Sequence, residues 1–185
     1  MILGFDKIYI SCYNIKRWGA WKNMFNIGDK VVYPMHGAGV IESIEEREIL
    51  GQKQKYYIMK MPVGDIQVMV PTENAMKVGL REVIKYKDAD LVLNALSGEQ
   101  SAMNANWNKR YRENMDKIKS GNILEVAEVV KNLAHKNSDK GLSAGEKKLY
   151  NNAKQILVSE LILAEQGTKE EVEALIDEKL GIIKE

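Results

Sequence analysis

The apolar positions of this chain follow two different periods. Between Asp29 and Pro71 they alternate with polar positions in short runs, each closed by glycine or proline. Lys30-Val-Val-Tyr-Pro34 reads as a strand ended by proline, and Met35-His-Gly-Ala-Gly39 as a turn. Val40 to Ile49 alternates residue by residue, which predicts a long strand with one face in water. The polar run Gly51–Lys55 predicts a turn before a strand over Tyr56–Met61. Pro62-Val-Gly-Asp65 then turns the chain into a last strand, Ile66–Pro71. Short strands joined this tightly fit a small, strongly bent sheet.

From Gly79 the period becomes helical. Val83, Ile84, Leu91, Val92 and Leu96 predict helical segments over Leu80–Tyr86 and Asp88–Leu96, ending at Ser97-Gly98. A helix from about Ala105 carries Tyr111, Met115 and Ile118 on one face and stops at Ser120-Gly121. Ile123, Val126, Ala127, Val130 and Leu133 make the next. Ser143-Ala-Gly-Glu146 has the form of a capping box, in which hydroxyl and carboxylate each satisfy a free backbone N–H at a helix start. Thr168-Lys-Glu-Glu171 repeats it before a final acidic helix with Val172, Leu175, Ile176 and Leu180. The expected architecture is therefore α+β: an SH3- or Tudor-like barrel over residues 24–74, then an all-α bundle over residues 75–185. Such a barrel usually keeps an edge that can accept a partner strand, so a domain-swapped dimer stands beside the monomer. Met1–Asn23 shows no clean period and precedes a second methionine. It is read as a leader or mis-assigned start, outside the fold.

The net charge of +1 conceals an asymmetry. From Asn104 to Lys154 eleven Lys/Arg face six acids, and from Gln155 to Glu185 three Lys face eight. A basic helical block is thus followed by an acidic tail. One cysteine, Cys12, excludes an internal disulfide framework, and no apolar run approaches a membrane span; both point to the cytoplasm. Phosphate-binding glycine loops, CxxC and HExxH are absent, so neither an enzyme nor a metal or cofactor site is expected. Met59, Met61 and Met69 read as barrel core, unless alternation turns some outward as adaptable contact residues.

The candidate chemistry lies in Asn106-Trp-Asn-Lys-Arg-Tyr-Arg112, where a tryptophan heads a helix and three cations follow. Lys109, Arg110 and Arg112 are expected to point outward. Cations hold phosphates while a flat ring presses on bases. The plainer reading makes Trp107 a core anchor and the cations a solvated face, and the residues alone leave both open.

Several stretches resemble the CarD/CdnL family of bacterial transcription regulators. They are Gly28-Asp-Lys-Val-Val-Tyr-Pro-Met-His-Gly-Ala-Gly39, Val70-Pro-Thr-Glu-Asn74, Val78-Gly-Leu-Arg81, the tryptophan stretch, Lys119-Ser-Gly121, Val126-Ala-Glu-Val-Val130 and Gly141-Leu-Ser-Ala-Gly-Glu-Lys147. The resemblance runs from Met24 to the C-terminal helix. It implies a Tudor-like domain, similar to that of the transcription-repair coupling factor, that binds the RNA polymerase β subunit through Arg47, Met69 and Pro71. It also implies a helical domain that meets promoter DNA at the upstream edge of the melted bubble. There Trp107 would wedge into the minor groove, and Lys109, Arg110, Arg112 and Lys147 would contact DNA without reading sequence. Family members carry arginine or methionine at position 69; here it is methionine, so a polar contact there is not available. The implied function is a non-enzymatic factor that stabilises the open complex and joins the nucleoid through polymerase. The alternative is an adaptor that docks on polymerase and never touches DNA, in keeping with the near-neutral charge and acidic tail.

Overall fold

The computed structural model describes residues 25–182 other than 50, 65 and 166, so the leader reading of Met1–Asn23 lies outside the described residues. A five-stranded antiparallel sheet comes first and five helices follow, as the two periods predict. The strands are β1 (Lys30–Tyr33), β2 (Gly37–Ile49), β3 (Gln52–Lys60), β4 (Gln67–Pro71) and β5 (Arg81–Glu82), in the order β4-β3-β2-β1-β5. The helices are α1 (Tyr86–Leu96), α2 (Trp107–Lys119), α3 (Ile123–Lys140), α4 (Ala144–Glu165) and α5 (Lys169–Lys179). Both capping boxes form: Ser143 with Glu146 at the head of α4, and Thr168 with Glu171 at the head of α5. None of these helices is long and apolar enough to cross a membrane.

Two elements differ from expectation. The polar run Gly51–Lys55 is a turn only at its start, since β3 begins at Gln52 and pairs with Ile49. The β2–β3 hairpin projects beyond its core here, so both faces meet water and the alternation that marks a strand disappears. The helical segment expected over Leu80–Tyr86 is instead the short strand β5, and α1 starts at Tyr86. Val31 and Val32 of β1 take Glu82 and Arg81 as partners, a long-range pairing that overrides a weak local helical signal.

Each part has its own core. Val31, Ile41, Tyr57, Met59 and Val70 close on Phe25 and Leu80 inside the bent sheet. Leu96, Ile118, Val130, Leu133, Leu157, Leu161 and Ile176 fill the bundle, and Val63 from the β3–β4 turn joins them. Burying side chains of this size contributes about 1.5–3 kcal/mol each before the entropy of ordering them is subtracted.

The two parts meet along α4. The amide of Ala38 donates to Ser159 Oγ at 2.8 Å, and a Cβ added to Gly37 would stand 2.5 Å from that oxygen. Arg81 of β5 reaches across with a two-pronged bond to Glu160, at 2.6 and 2.8 Å, and also donates to the Gly121 carbonyl. Glu160 is fully buried, and the amide of Ile84 donates to the same carboxylate. A buried carboxylate is tolerable only when its oxygens are so occupied. The sheet is thereby keyed to α4 and to the α2–α3 connection at named atoms.

Candidate nucleic-acid interface

The side chain of Asn106 accepts from the Lys109 amide at 3.2 Å, which starts α2 at Trp107. A first-turn side chain leans back past the end of its helix, with no earlier turn of its own to cover. Trp107 therefore rests on a neighbour, the head of α4. Its indole Nε1–H donates to Ser143 Oγ at 3.1 Å, a bond that spans 36 positions of sequence. A Cβ on Gly145 would come within 3.3 Å of indole Cζ2, so the ring lies close over that glycine. Tyr111, one turn along α2, stacks against the indole with centroids 5.4 Å apart and planes 22° apart. Even so, 44% of Trp107 remains exposed. The ring is supported along one face and one edge, and is not sunk among the aliphatic side chains of the bundle.

The three cations after the tryptophan separate. Lys109 and Arg112 are exposed on the outer side of α2, as expected. Arg110 is not, and its outward placement is corrected: only 9% of it meets solvent. The buried positions of α2 are Arg110, Asn114 and Ile118, spaced four residues apart along one face. The Arg110 guanidinium meets Glu146 Oε1 through Nε at 2.9 Å and Nη2 at 2.8 Å. Its Nη1 donates to the carbonyls of Asn104 and Ala105.

Glu146 is the centre of this arrangement, with 2% of its surface exposed. Lys136 of α3 donates to the same Oε1 at 2.6 Å, and Oε2 accepts from the Ser143 amide and hydroxyl. Burial pushes its carboxyl pKa up, but the bonds from Lys136, Arg110 and Ser143 outweigh that and hold it at about 2. The Ser143 hydroxyl is fully used: it donates to Glu146 and accepts from the indole N–H and the Glu146 amide. Lys147 and Lys148 follow on the exposed first turns of α4. Lys147 is thus an exposed cation on the helix whose head, through Ser143 and Gly145, supports the tryptophan.

Arg47, Met69 and Pro71 lie at the other part of the molecule, on one face of the sheet. The register aligns Glu45 with Tyr56 and Tyr56 with Pro71, and Ser43 with Ile58 and Ile58 with Met69. Directly opposed residues share a face, and every second residue returns to it, so Arg47 joins that row. Arg47 is exposed and paired with Glu45 at 2.6 Å, and Met69 is 45% exposed on the terminal strand β4. Met59 and Met61 are buried, so alternation turns only the third methionine outward.

Some participants had no sequence signal as site residues. Ser143 and Glu146 were legible as a capping box, yet their bonds to Trp107 and Arg110 depend on packing. Lys136 read as one cation among eleven, and Tyr111 only as a core position.

Comparison with known proteins fits this layout. Residues 25–84 match the CarD-like/TRCF RID domain, and residues 91–177 match the CarD C-terminal domain. A relative from Bacillus subtilis (strain 168), named "Putative transcription factor YdeB", is 40% identical over 151 residues, which is 82% of this chain and 99% of the relative. A sheet that carries Arg47 and Met69, a bundle headed by an exposed indole, and two domain matches in the same order lead to one conclusion: the chain belongs to the CarD/CdnL family and is a CarD-like transcription factor.

Proposed function

We propose that the outer sheet face docks on the RNA polymerase β subunit while the tip of the bundle stabilises the promoter open complex. The division of labour follows the two parts: Arg47, Met69 and Pro71 take the polymerase, and Trp107 with Lys109, Arg112 and Lys147 takes the DNA. Arg110 is left out of the phosphate contacts, because its donors are committed to Glu146 and two carbonyls.

The observation that carries the reading is the exposed, supported indole at the head of a helix whose Lys109 and Arg112 are exposed. Opening a base step costs a few kcal/mol, so a ring that enters the minor groove favours DNA already parted. An indole on a base contributes about 1–3 kcal/mol, or roughly a five- to hundredfold shift in open-complex population. The ring shifts the equilibrium only because it binds the parted state better. Three cations on phosphates are too few for tight binding by themselves, and α5 adds Glu170, Glu171, Glu173, Asp177 and Glu178 to the same part. Docking on polymerase raises the local concentration and supplies the remainder.

Trp107→Ala tests the reading in the full chain, with polymerase holoenzyme on a slowly melting promoter. The open-complex lifetime should fall by roughly fivefold or more while polymerase binding stays intact. An unchanged lifetime would remove the wedge.

A further inference from the structure

The bonds around Ser143 do more than start a helix. A cap hydroxyl needs one backbone N–H, and Ser143 already has that of Glu146 at 3.3 Å. It also receives the indole N–H, and its own proton goes to Glu146 Oε2 at 2.9 Å. The opposite carboxylate oxygen is held by Arg110 and Lys136, from α2 and α3 respectively. A continuous path thus runs from the exposed ring to a nearly dry ion cluster that ties three helices together.

We infer that Ser143 is a positioning residue for Trp107, and that the Arg110–Glu146–Lys136 cluster keeps its hydroxyl aimed at the indole N–H. This rests on the wedge reading. A free indole on a helix end samples several rotamers, and immobilising it at the moment of contact costs affinity. Here the Ser143 bond fixes the edge, Tyr111 supports a face, and Gly145 leaves room for the ring, so the remaining face is presented in one orientation. The cluster residues act through Ser143 and need no contact with DNA.

The test is a double-mutant cycle read by open-complex lifetime, with full-length protein, polymerase holoenzyme and the same promoter. Trp107→Phe keeps a wedge ring but has no N–H to donate. Ser143→Ala in the native background should shorten the lifetime about two- to tenfold, the range of one neutral hydrogen bond. In the Trp107→Phe background the same change should alter it by less than about twofold, because the bond is already gone. Ser143→Thr retains both hydroxyl and cap and should restore the lifetime. In parallel, the Trp107 indole N–H resonance, identified by its loss in Trp107→Phe, should move upfield in Ser143→Ala and return in Ser143→Thr.

A role confined to capping α4 predicts equal losses in both backgrounds and an unmoved indole resonance, and either result overturns the inference. If Trp107→Ala shortens the lifetime and Ser143→Ala does not, the wedge stands and the positioning role falls. If Trp107→Ala has no effect, the wedge falls and takes the positioning role with it.

Discussion

Arg47 on the sheet and Arg110 on the bundle each pair with a glutamate, at 2.6 and 2.8 Å. The lengths barely differ, but the surroundings do. The Arg47 and Glu45 side chains are 51% and 41% exposed; those of Arg110 and Glu146 are 11% and 3% exposed. In water such a pair contributes about 0–1 kcal/mol and exchanges readily for another partner. Out of water, losing one member strands a charge at a cost of several kcal/mol. Distance alone therefore says little about which arginine is available to a ligand. The sheet presents a cation that a partner can recruit, and the bundle tip has spent one on holding its own geometry.

Replacement of Arg110 by methionine should give the largest effect. Arg110→Met keeps some bulk but leaves Glu146 with Lys136 as its remaining charged partner, so the loss of stability should be about 3 kcal/mol by urea unfolding. Arg47→Ala should change stability by less than about 0.5 kcal/mol in the same assay. Equal costs for the two would mean that burial does not separate them.

Acid sharpens the contrast. The Glu146 pKa is lowered from 4.5 to about 2 in the folded chain, so the unfolded chain takes up the proton more readily across that interval. The carboxylate's contribution is complete above about pH 4.5 and is lost as pH falls toward 2. The stability difference between the native chain and Glu146→Gln should shrink across that window, by on the order of 2–3 kcal/mol. A difference independent of pH would show that the carboxylate is not held ionised.

Binding effects are smaller. Arg47→Ala should weaken association with an isolated β-subunit lobe about tenfold, as expected for an arginine at the centre of a contact. Its effect on DNA affinity should be nil, and a fall in both would break the division between sheet and bundle. Smallest of all, Lys147→Ala should lower the slope of log affinity for DNA against log salt by about 0.9, one phosphate contact. The absence of any salt-sensitive affinity for DNA would favour the adaptor that never meets DNA.

Much of this was legible without coordinates. The strand-rich half, the helical half and both capping boxes follow from spacing within about four residues. The Trp107 stretch was likewise marked by the order of its residue types. Arg110 defies its residue type because position 110 lies only about 100° around the helix from Tyr111, at the border of the apolar face, and a cation there is expected to turn to water. It turns inward instead, where it meets a carboxylate 36 residues away. The β5 strand was missed because Arg81–Glu82 is too short to carry a period, and only its pairing with β1 makes it a strand.

Local chemistry by itself therefore determined most of the elements, β5 excepted, where the two helix-start motifs lie and where cations gather, because each depends on neighbours along the chain. Tertiary structure decided which cations face water, what supports the indole and how the sheet is keyed to α4. Those outcomes depend on side chains from distant positions competing for the same few buried hydrogen-bond partners, and spacing along the chain does not encode that competition.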